Sequence, residues 1–153
     1  MRNIYILSQI ANDNRNLIMK VIYKMVDQIS KQLNIMFLIH FFVSILFGIV
    51  FLIFVEGFVA FIQWPYLDPV VGRLLGAALI GFAATSLLAW RETEWAKVKI
   101  IVQMEIVWCA IGSIVCLVCV FLFPLPFFTW INIIILIFFL IVFSWYYFTH
   151  EKD

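Results

Sequence analysis

At 153 residues, 66% of them hydrophobic and 12% charged, the chain is too apolar for a soluble domain, which averages roughly 45–50% and about 25%. A net charge of +1 provides neither the broad basic field that nucleic acid requires nor an acidic tail. The three cysteines, Cys109, Cys116 and Cys119, lie in one apolar segment, so no loop-to-loop disulfide framework can be drawn.

Residues 1–32 are polar enough to lie outside the bilayer. Within them Leu17, Ile18, Val21, Ile22, Met25, Val26 and Ile29 recur at helical spacing, with Lys20, Lys24, Asp27 and Lys31 on the other side. This pattern predicts an amphipathic helix in the headgroup region on the cytoplasmic side, its lysines toward anionic lipid. The competing reading places the true start at Met19 or Met25. The apolar patch from Ile4 to Ile10 is short, is broken by Ser8 and Gln9, and has no small-residue cleavage site after it. The first span is therefore expected to stay in the protein as an anchor.

Leu33 to Val55 carries no formal charge and reads as the first transmembrane span. The following EGFVAFIQWPYLDP mixes Glu56 and Asp68 with Phe58, Phe61, Trp64 and Tyr66, the composition of an interfacial loop with room for a short helix. Asp68 is a good N-cap, and Pro69 a good first helical residue because its missing N–H is one a helix start leaves unpaired anyway. The second span should run from Pro69 to Trp90 with Arg73 as its one charge. In it Gly72, Gly76, Ala77, Gly81, Thr85 and Ala89 fall largely at spacings of four, which predicts a smooth face for a neighbouring helix. The nine residues RETEWAKVK form a charged hairpin. Ile100 to Phe123 is the third span; Pro124 and Pro126 stop it, and Phe127 to Phe148 is the fourth.

The fold class expected is all-α: an integral membrane bundle of four antiparallel transmembrane helices in one domain, 33–153, preceded by the amphipathic segment 1–32. Of the ten Lys and Arg residues, nine fall in the N-terminal segment, the middle hairpin and the tail, and Arg73 is the exception. That asymmetry predicts cytoplasmic N and C termini.

Ionisable groups inside a span mark candidate sites. By helical rise, His40 lies roughly 10 Å from the cytoplasmic end of the first span and Glu105 roughly 8–12 Å from the same end of the third. The two can meet, and each lies on a small-residue face, with Ser44 and Gly48 beyond His40 and Cys109 and Gly112 beyond Glu105. A structural hydrogen bond is the leading account, because no second acid stands at mid-depth; a proton or ion relay is the alternative. Near the other membrane face, Glu56, Asp68, Arg73 and Asn132 form a candidate polar cluster, within which a long arginine can also snorkel to the interface.

The CLVC at Cys116 to Cys119 resembles the redox pair that vitamin K epoxide reductases hold in a four-helix membrane bundle. The resemblance stops at those four residues, because that family relays electrons through a second, loop cysteine pair that this chain lacks. Buried thiols in apolar surroundings are usually inert packing groups. His40 and His150 are too far apart for a metal site, and no phosphate loop, G-x-S-x-G elbow or H-E-x-x-H occurs. No catalytic residue, cofactor or metal is expected.

Taken together, LIHFFVSILFG in the first span, DPVVGRLLGAALIG in the second, the charged hairpin and two further spans resemble a widespread group of small prokaryotic four-helix membrane proteins of uncharacterised function. The resemblance covers Asn34 to about His150. It implies the bundle but no activity, and Glu105 and the cysteines are not features of that group. The leading expectation is a non-catalytic structural, accessory or interaction component of the membrane, working in the lipid bilayer as a homo-oligomer or with a membrane-protein partner. Two alternatives stay open: a small transporter or proton-coupled carrier using His40 and Glu105, and a thiol oxidoreductase using Cys116 and Cys119.

Overall fold

The computed structural model describes Gln9, residues 12–19, Val21, residues 28–65 and residues 68–150. Its helices are α1 (Lys31–Ile53), α2 (Val55–Phe61), α3 (Pro69–Arg91), α4 (Trp95–Leu122) and α5 (Phe128–His150); residues 12–19 are helical as well. Much of the expected amphipathic segment (Lys20, Ile22, Lys24, Met25, Val26 and Asp27) lies outside the described residues, as does Tyr66 of the interfacial loop. The described Leu17, Ile18 and Met19 expose their side chains.

Local chemistry sets the helix ends. Ser30 caps α1 by accepting a hydrogen bond from Leu33 N at 3.2 Å. Asp68 Oδ1 accepts from Val70 N at 2.8 Å and Val71 N at 3.1 Å, with Pro69 as first helical residue. Two boundaries differ from the sequence expectation. The first span stops at Ile53, because the chain turns at Phe54 and starts α2, whose Val55 and Val59 tuck into the protein. The third begins at Trp95 rather than Ile100: hydropathy marks where lipid ends, whereas the helix continues past it. Its first turn is tied down by Lys97, which pairs with Glu92 at 3.2 Å and Glu94 at 3.4 Å. The hairpin is thus residues 92–94, and Ile29 N donates to Thr93 O at 3.0 Å, fastening the approach to α1 against it.

Every sequential long-helix pair is antiparallel: His40 meets Ser86 and Gly48 meets Gly76, Ser86 meets Glu105 and Phe82 meets Trp108, and Gln103 meets Tyr147 while Gly112 meets Leu136. The α1 and α5 pair is antiparallel as well. Phe37 meets Phe143 near the hairpin end, while Phe47 and Phe58 meet Phe128 near the α2 end. The closest approach is α1 on α3, where Gly48 faces Gly76. The small-residue face expected on α3 is only partly the one used. Gly76 is buried together with Ala83, Ser86 and Ala89, but Ala77 and Gly81 are exposed and Gly72 is half-buried. At 100° per residue, Gly81 is five steps and about 140° round the helix from Gly76. On α4, Gly112 lies against Leu136 of α5.

The radial pattern is inverted relative to a water-soluble protein. His40, Ser44, Ser86, Glu105, Ser113 and Thr129 are buried, while Phe42, Leu46, Leu74, Leu88, Ile114 and Ile141 are exposed. Water-exposed surfaces rarely carry such continuous apolar area. All four long helices are long and apolar enough to cross a membrane, and the chain is a multi-pass all-α membrane protein.

Candidate functional site: a buried polar network

The polar groups of three helices converge at one depth. His40 comes from α1, Ser86 from α3 and Glu105 from α4, and Ser44 stands one turn beyond His40. The antiparallel arrangement brings them together, because each lies within about three turns of the hairpin end of its helix. Glu105 and Ser86 are fully buried and His40 is 6% exposed.

The hydrogen bonds assign roles. His40 Nδ1 lies 2.8 Å from Ser86 Oγ, and Ser86 Oγ donates to Glu105 Oε1 at 3.5 Å. A serine that spends its proton on the carboxylate accepts from Nδ1–H, so in the neutral imidazole Nε2 is the acceptor. Nε2 faces Ser44 Oγ at 3.3 Å and Glu105 Oε2, also at 3.3 Å. The second contact is close enough for an ion pair but is not aligned as a hydrogen bond, and Oε2 has no hydrogen-bond partner among the described residues. A carboxylate oxygen without an aligned donor is an orphaned acceptor, and here it stands beside a second acceptor. Phe139 and Phe143 of α5 present their rings edge-on to the imidazole at 4.7 and 5.7 Å, completing the apolar wall.

The surroundings are unlike on the two sides. Toward the hairpin end the pair is capped by Leu33, Phe37, Val98, Val102 and Phe143, all fully buried. Toward the α2 end the buried set includes Ser44, Ser113 and Thr129. Ser113 Oγ donates to Cys109 O at 2.7 Å, and Thr129 Oγ1 has no hydrogen-bond partner among the described residues.

The expected outer cluster is divided. Arg73 and Glu56 form a two-point pair, Nη1 to Oε1 at 2.8 Å and Nη2 to Oε2 at 3.1 Å. Asp68 is taken up by its capping bonds to Val70 and Val71. Asn132 faces α4 instead, where Nδ2 donates to Cys116 Sγ at 3.5 Å. Cys116 and Cys119 are half-buried free thiols, and Cys109 is a buried one, near Glu105. His150 lies at the hairpin end, its ring 4.7 Å from that of Trp95. Outside this core an apolar groove runs along α4, lined by Phe82, Met104, Val107, Trp108 and Ile111.

Sequence reasoning named His40, Ser44 and Glu105 but not Ser86, Ser113 or Thr129. Depth alone leaves Ser86 level with its neighbour Thr85; the rotation that turns Ser86 inward, while Thr85 bonds back to Phe82 O, is not written in the count. No protein-family model, curated protein or solved structure matches the chain.

Proposed function

We propose that the protein is a non-catalytic, multi-pass component of the cell membrane that works through helix contacts, with a second copy of itself or with another membrane protein. The observation that carries this reading is the linkage of α1, α3 and α4 through His40, Ser86 and Glu105 beneath an apolar plug. A buried polar set shared by three helices holds them in register. The same plug blocks a path through the bundle from the hairpin end, which a carrier would need to open. The excess of Lys and Arg in the terminal segments and hairpin supports cytoplasmic termini. The similarity of LIHFFVSILFG and DPVVGRLLGAALIG to the small prokaryotic four-helix proteins supports the same class.

Reconstitution tests the reading. Vesicles containing the protein should dissipate an imposed pH gradient no faster than empty ones, with Glu105→Gln indistinguishable from wild type. Cross-linking in native membranes should give one defined oligomer or stoichiometric complex. A proton leak abolished by Glu105→Gln would replace this reading with the proton-coupled carrier, which the orphaned Oε2 favours.

A further inference from the structure

We infer that His40 and Glu105 together form a binding site for a single exchangeable proton, reached from the α2 end of the bundle and sealed from the hairpin end. The starting point is the 3.3 Å approach of Nε2 to Oε2. With Nδ1–H committed to Ser86 and the Ser86 hydroxyl committed to Oε1, both atoms across this gap are acceptors. The Ser44 hydroxyl can donate to Nε2 at 3.3 Å, which leaves Oε2 as the unpartnered acceptor, and a buried acceptor without a partner is costly. One proton held between Nε2 and Oε2 removes that fault. It makes either carboxylic acid donating to imidazole or imidazolium donating to carboxylate, and in each form the pair has net charge zero. Without it the pair carries one negative charge.

The titratable neighbours are few. Cys109 of α4 lies near Glu105, α3 presents Ser86, and α5 presents Phe139 and Phe143. The bound proton therefore answers to the His40 and Glu105 pair and not to a wider charge cluster.

Access follows from the asymmetry of the core. Hydroxyls can pass a proton by donating and accepting in turn, with water between them, whereas leucine, valine and phenylalanine cannot. The α2 half holds the hydroxyls of Ser44, Ser113 and Thr129 among buried Ala83, Ile133, Val55 and Val59. In the other half, Leu33, Phe37, Val98, Val102 and Phe143 close the core. Asn34 and His150 are the polar exceptions there: Asn34 Oδ1 and His150 Nε2 are buried without a hydrogen-bond partner among the described residues, and both residues lie on the hairpin side of Phe37 and Phe143, which stand between them and the pair. A site open to one side senses the pH of one compartment. The inference does not require the function proposed above: a pair can take up a proton whether or not it acts as a lock.

The test is difference infrared spectroscopy of the full-length protein in lipid nanodiscs, between alkaline and acid pH. Wild type should give a carboxyl or imidazolium change that Glu105→Gln removes and Glu105→Asp shifts in frequency, the second variant guarding against simple misfolding of the first. After a rapid pH jump, the combined Ser113→Ala and Thr129→Val change should slow its appearance at least about tenfold, the effect of ~1.4 kcal/mol on a barrier. Leu33→Val should leave the rate alone. The inference is overturned if no pH-dependent band is lost in Glu105→Gln, if the outer hydroxyl variants do not slow the signal, or if Leu33→Val alters it equally.

Discussion

Gly76 of α3 and Gly48 of α1 meet backbone to backbone. A Cβ built on Gly76 would sit 2.5 Å from Leu52 N and 2.9 Å from Gly48 O, atoms of a helix backbone that cannot swing aside. Gly76→Ala should therefore destabilise the bundle by about 1–3 kcal/mol, the usual cost of overpacking. Around Gly81 nothing lies within 4 Å, so Gly81→Ala should stay within about 0.5 kcal/mol of wild type. Unfolding titrations in mixed micelles compare the two; equal effects would mean that α1 and α3 do not cross where Gly48 and Gly76 meet.

The buried network predicts energetic coupling. His40→Ala and Glu105→Ala should each cost roughly 1–3 kcal/mol by leaving partners unpaired. The double variant should cost less than their sum, with a coupling of about 0.5–3 kcal/mol. Ser86→Ala should resemble either single change, because Ser86 bonds to both. Strict additivity in the same unfolding assay would show that the pair is merely adjacent.

The residues divide according to what a linear chain can carry. Asp68 and Pro69 announce the start of α3 because capping is local chemistry. His40 and Glu105 could be paired because depth is a count of residues from a span end. Rotation about a helix is harder to read: Gly81 and Asn132 have the expected depth, but Gly81 faces open space and Asn132 faces Cys116. Thr129 is silent for another reason, since one hydroxyl near the start of an apolar segment leaves no periodic trace. The end of α1 at Ile53 depends on how α2 packs, which hydropathy does not encode.

Asp68 supports a local prediction. Its carboxylate accepts from two of the first free amides of α3, so Asp68→Ala should cost about 0.5–2 kcal/mol, whereas Asp68→Ser should retain most of the capping. Hydrogen exchange is the direct readout. Val70 and Val71 amides should exchange faster in Asp68→Ala, and Gly76 should not; unaltered exchange at Val70 and Val71 would remove Asp68 from the capping role.

Glu56 and Arg73 give the pH dependence of the α2 end. The hydrogen bond from Arg73 holds the Glu56 carboxyl below its ordinary value of 4.5, helped by a backbone hydrogen bond, opposed by desolvation and helped least by the arginine's charge. Because the folded-state value lies below the unfolded one, the pair favours the folded arrangement fully only above the ordinary carboxylate range. That contribution fades as pH falls through the depressed value. Both side chains are about half exposed, so the consequence is a local loosening of α2 against α3, with little effect on the bundle as a whole. Carbon NMR of the Glu56 carboxyl should give a midpoint below 4.5 in wild type, and Arg73→Gln should return it to the ordinary range. A midpoint insensitive to Arg73→Gln would mean that the two-point contact does not persist in the bilayer.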